Sequence, residues 1–170
     1  MLEKKLEKLN DELERQFNQF EGKDTLINIR PSEKKWSIGQ HLYHLWLSES
    51  GIESYIRKKT SYPDTLVDVK PYAGFINSLY LMIPKLGIKL KAPRMISDPI
   101  PEKVDLKDLK TKWLKSRESF AGLLIELDKA TLKKAIFKHP FLGRINMDLT
   151  LDFMIFHQRH HHKAIQSLSK

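Results

Sequence analysis

Leu2, Leu6, Leu9, Leu13, Phe17 and Phe20 recur at steps of three and four. That spacing lines them along one stripe of an α-helix about five turns long and has no counterpart on a two-residue strand repeat. The same period returns in Ile38, Leu42, Leu45, Ile52 and Ile56, and again in Leu109, Trp113, Phe120, Leu124 and Leu127. A last helical stretch runs from near Asp148 almost to the chain end. A lone amphipathic helix cannot bury its stripe, so the four must cover one another. The expected fold is all-α, an antiparallel four-helix bundle with a long irregular connection between helices 2 and 3. A chain of 170 residues buries roughly 70% of its unfolded surface, enough for one domain spanning residues 1–170.

The boundaries are marked by breakers and caps. The first helix should stop near Gly22, and a short turn containing Pro31 leads to Ser37, which can cap the second helix with Gln40 in the capping-box position. Residues 60–102 hold most of the prolines; a local helix is expected over 73–82, followed by an irregular basic run through Pro93 and Pro99. Connections this long often wall or cover a site. The third long helix is expected over 106–127. The stretch "ATLKKAIFKHPFLGRINM" carries Pro140 and Gly143 and reads as a loop with one short extended piece, after which Asp148 is an acceptable N-cap. No internal repeat is visible.

Several function classes drop out on composition. With no cysteine there is no disulfide, no thiolate metal site and no cysteine nucleophile, so any metal must be held by histidine and carboxylate. Apolar runs such as "FINSLYLMI" are far shorter than a membrane span, and the amino terminus lacks the apolar core of a signal peptide, so a cytoplasmic location is expected. The net charge of +9 attracts acidic partners without specifying one, and between Lys85 and Arg117 ten Lys or Arg face four Asp or Glu. Few aromatics are interleaved with these charges and no nucleic-acid-binding motif appears, so a solvated basic face is preferred over nucleic-acid binding.

The residues that point to chemistry are histidines. "FHQRHHHKAIQSL", Phe156 to Leu168, places four of the chain's seven histidines within six positions. His157 and His161 lie one turn apart on one face, near Phe153, Met154, Ala164 and Leu168, which turns that face inward. His160 is adjacent by angle, and His162 is expected to face solvent. A purification tag would be an unbroken run outside the periodic pattern, which this is not. The second helix offers His41 and His44 beside the Leu42 and Leu45 stripe, and spacing alone does not choose between them. A single such pair would be read as core histidines making hydrogen bonds. Two pairs on different helices favour a divalent metal site with positions left for water or substrate.

"WSIGQHLYHLWLSE", Trp36 to Glu49, followed downstream by "FKHPFLGRINMDLTLDFMIFHQRHHHKAI", Phe137 to Ile165, resembles the DinB-like and YfiT-like superfamily of bacterial metal-binding four-helix proteins. The resemblance covers nearly the whole chain in element order, with these two blocks carrying the specific signal. It implies a metal ligand eight positions after the tryptophan, which selects His44, and a ligand pair on the last helix, His157 and His161. His41 and His160 then become pocket or supporting candidates. His139, Pro140 and Gly143 also match the family's turn, where their expected role is to redirect the chain. Trp36 is expected to pack at the helix start.

The resemblance further implies zinc or nickel as the cofactor and a small-molecule substrate, handled by a hydrolase or by a transferase of a low-molecular-weight thiol cosubstrate. It also implies a homodimer. Glu49 is the nearest carboxylate to His44 but is rotated away by its offset of five, so a surface salt bridge competes with a role as base; Asp152 shares this weakness. Tyr43 and Phe153 are candidate pocket walls, with Arg159 and Lys91 able to attract an anionic group. The alternatives are a non-catalytic metal-binding bundle and a basic interaction module.

Overall fold

A computed structural model describes residues 1–82 and 100–169. The expected first stripe folds as α1, Leu2–Phe20, and buries Leu9, Leu13, Phe17 and Phe20. It ends at Gly22, whose φ of +71° is open to a residue without a Cβ. A four-residue α2, Asp24–Ile27, follows; it is too short to show a period in the sequence. Ser37 then caps α3, Ile38–Thr60. Its hydroxyl accepts from the Gln40 amide at 3.2 Å while the Gln40 side chain accepts from the Ser37 amide at 3.1 Å, the expected reciprocal box.

After a 3-10 turn at Pro63–Thr65, α4 spans Ala73–Met82 as its pattern predicts. The basic run through Lys91, Pro93 and Pro99 lies outside the described residues. Asp105 caps α5, Leu106–Glu126, by accepting from the Asp108 amide at 2.8 Å. The stretch expected as loop with one short extended piece contains a short α6, Lys129–Lys133, and two extended pieces, an antiparallel hairpin pairing β1, Phe137–His139, with β2, Gly143–Ile145. Gly143, φ +72°, makes the turn between them. The last helix, α7, is Met147–Leu168 and is capped by Asn146, not Asp148. Asp148 is drawn off to Lys5, whose ammonium donates to its carboxylate at 2.7 Å.

Among the described residues the chain is therefore helical apart from one small hairpin, with seven α-helices instead of four alone. The direction of the long helices also differs from a simple antiparallel bundle. Ser50 meets Ser116 and Arg57 meets Glu126, so α3 and α5 run parallel. Lys5 meets Asp148 and Gln19 meets Gln166, so α1 and α7 are parallel too. His41 meets His161 and His44 meets His157, which sets α3 antiparallel to α7. The cause is the long connection after α3: it returns the chain to the end at which α3 began.

Two apolar clusters fill the interior. One gathers Leu9, Ile52, Ile56, Phe120, Leu123, Met154 and the hairpin's Phe137 and Ile145; the other gathers Leu13, Phe17, Leu42, Leu45, Trp113 and Ile165. On every long helix the boundary between them falls at polar residues: Asn10 on α1, Glu49 on α3, Arg117 on α5, and His157, Gln158 and His161 on α7. Glu49 and Arg117 are each 5% exposed and pair in a bidentate fork at 2.7 Å, with the Trp113 indole donating to the same carboxylate at 2.7 Å. A polar layer thus crosses the middle of the molecule, and the histidines lie beside it.

Candidate metal centre

His44 sits about two turns into α3, at a height fixed by the Ser37 cap, and His157 and His161 lie one turn apart on the antiparallel α7. One ring nitrogen from each lies within 4.8 Å of the other two. Nitrogens held at about 2.0–2.1 Å from one tetrahedral ion stand roughly 3.3–3.4 Å apart. His44 Nε2 and His157 Nε2 are 3.2 Å apart, already at that spacing, and a His161 ring nitrogen lies within 4.8 Å of both ligand atoms.

Burial keeps these rings neutral, the form that binds metal. His44 is pushed down to about 4 by desolvation, and His157 to about 3 by desolvation reinforced by neighbouring His44, His160 and His139. His161 is lowered further, again chiefly by burial. No carboxylate among the described residues contributes to any of these shifts. His44 Nε2 and His157 Nε2 face each other with at most one proton between them, and among the described residues His44 Nδ1 is buried without a hydrogen-bond partner. A divalent cation would take up the facing lone pairs, and the three-histidine cluster is suited to one.

The other candidate residues separate into those at the cluster and those elsewhere. His41 Nδ1 is 2.9 Å from His161 Nδ1, and burial lowers the His41 pKa to about 4. Phe153 stacks on His157 at 5.4 Å and 13° and meets His139 edge-on at 4.2 Å. His160 is exposed, against Phe156 and the edge of His161. Tyr43 turns to Trp46 at 5.2 Å, away from the histidines.

Glu49 does not serve the cluster: Arg117 and Trp113 engage both oxygens, in a buried pair instead of the surface salt bridge the sequence allowed. Asp152 is bound by Lys5 at 2.8 Å. Arg159 lines a separate groove with Lys4 and Lys8, while Lys91 lies outside the described residues. His162 is half-buried with Nδ1 enclosed, against the expected solvent-facing position, because that side of α7 meets α1; Gln166, one turn on, donates to Gln19. His139 has the structural role expected of its turn, its Nδ1 accepting from the Phe141 and Leu142 amides at 3.1 and 3.0 Å.

Trp36 is the residue whose position the sequence undersold. Its ring lies 5.0 Å from His44 and 5.3 Å from His41, and stacks on His161 at 6.2 Å and 17°. It forms a wall of the cluster as well as packing at the start of α3. The available signal was its place immediately before a capped helix that carries His41 and His44 one and two turns on.

A family model described as the DinB superfamily matches residues 5–165 of the chain. No curated protein and no solved structure matches it.

Proposed function

The chain belongs to the DinB superfamily, and from that premise we propose that it is a metal-dependent enzyme acting on small molecules, a thiol S-transferase ahead of a hydrolase. His44, His157 and His161 are the proposed ligands of one divalent ion, zinc or nickel. The observation that carries the reading is the convergence of three imidazoles from two helices, His44 and His161 buried and His157 half-buried. An ion held by these three residues would supply Lewis acidity, lowering the pKa of a thiol or of water.

The chain's own residues favour the thiol. Glu49 is held by Arg117 and Trp113, and Asp152 by Lys5, so neither is placed to take a proton from water. A thiol, with an ordinary pKa of about 8.5, needs far less assistance than water. Phe153 stacks on His157 and Trp36 on His161, which gives the cluster apolar walls. The absence of cysteine throughout the chain is compatible with a thiol that arrives as cosubstrate. In the same reading the chain is one cytoplasmic domain; among the described residues no helix is long and apolar enough to cross a membrane.

Metal analysis of untagged protein, purified without nickel resin, should give one equivalent of metal, and His157→Ala or His161→Ala should reduce it to background. The loaded protein should transfer a low-molecular-weight thiol to monochlorobimane, followed by fluorescence, and the His161→Ala protein should not. Stoichiometric metal with no transfer from any thiol offered would reject the transferase reading and leave a metal-binding protein.

A further inference from the structure

A pocket of about 340 Å³ opens between the segment leading into α3 and the last turn of α7, lined by Lys34, Lys35, Trp36, His41, Ser167 and Leu168 among others. Among the described residues no carboxylate lines it and neither lysine is in an ion pair. His41 and Trp36 are its shared walls with the imidazole cluster.

The His41–His161 contact fixes which hydrogen goes where. It joins Nδ1 to Nδ1 at 2.9 Å, so one nitrogen donates and the other accepts. If His161 gives Nε2 to an ion, its own proton must be on Nδ1, and His41 Nδ1 is then the acceptor. A neutral His41 that accepts at Nδ1 carries its proton on Nε2. His41 lines the pocket, so that N–H is the donor its ring can offer there, in company with Lys34, Lys35 and Trp36.

We propose that this pocket binds the anionic group, a carboxylate, of a small organic substrate, with His41 donating to it, Lys34 and Lys35 supplying the opposite charge, and Trp36 and Leu168 taking its apolar part. The proposal rests on the metal reading, because metal ligation by His161 is what orients the His41 proton. It places the substrate's charged end one imidazole away from the ion, and it makes metal and anion binding mutually supportive.

The test uses the full chain, with and without one equivalent of zinc, titrated with phenylacetate and with neutral phenylacetamide while the Trp36 indole N–H resonance is followed by NMR. Phenylacetate should bind the zinc-loaded protein at least about tenfold more tightly than phenylacetamide, a gap of about 1.4 kcal/mol. Zinc should tighten phenylacetate several-fold, and Lys34→Gln/Lys35→Gln should remove most of the preference while zinc content stays at one equivalent. His41→Phe, which keeps a ring at the pocket wall but has no N–H to donate, should keep zinc and lose the zinc-dependent gain. Equal binding of the two probes, or a preference untouched by the lysine substitutions, would overturn the pocket and leave the metal reading standing. Failure to take up zinc would overturn both.

Discussion

His139 shows how one buried side chain ties a local turn to the pH response of the fold. Its Nδ1 accepts from two successive amides in the hairpin turn, and burial holds its pKa at about 4. Protonation would turn that acceptor into a donor aimed at two donors. In the unfolded chain the group titrates near 6.5, so between about pH 6.5 and pH 4 the unfolded state binds the extra proton and stability falls as pH falls. The stability is fully present above about pH 6.5. For His139 alone the loss by about pH 5 is about 2 kcal/mol, with His41 and His44 adding in the same direction in metal-free protein. Urea midpoints measured from about pH 7 to about pH 5 should therefore decline. His139→Asn, which keeps a short oxygen acceptor for the turn, should make the decline shallower.

At the scale of the helix, the polar residues interrupting each apolar stripe set how the elements align. Glu49 follows Leu45 by one turn on α3, and Arg117 follows Trp113 by one turn on α5. Both occupy positions that the period assigns to the core. The pair meets because α3 and α5 run parallel at the same height, and Asn10 of α1 accepts from Arg117 at 3.1 Å. Glu49→Ala leaves a buried guanidinium without its counter-charge and should cost about 3–5 kcal/mol. The double variant Glu49→Gln/Arg117→Met keeps an acceptor for the Trp113 indole and removes the charge, so most of that loss should return. Chemical denaturation of both variants checks the difference, and a double variant as unstable as Glu49→Ala would show that the layer acts through something other than the uncompensated charge.

For the molecule as a whole, apolar clusters on both sides of the polar layer carry the fold, and the histidines are anchored on helices that those clusters already hold. Chelation should therefore leave the helical circular dichroism intact. Zinc at about a hundred times its Kd should add about 2.7 kcal/mol and raise Tm by several degrees, a gain that His161→Ala abolishes; melting curves with zinc and with chelator measure it. The sequence by itself determined the long helices, the Ser37 box, the α4 segment and the inward face of His157 and His161, because period, cap and breaker are local properties that neighbouring residues settle among themselves. It left α6 unseen and suggested only one of the hairpin's two extended pieces, since pieces of three to five residues carry too little period to register. Only the tertiary structure decided the parallel pairing of α3 with α5, the withdrawal of Glu49 from the site, the half-burial of His162 and the placing of Trp36 against three imidazoles. Each depends on which helix lies opposite at a given height, and that is set by how a long connection returns across the molecule, a relation between residues far apart in the chain that no local pattern records.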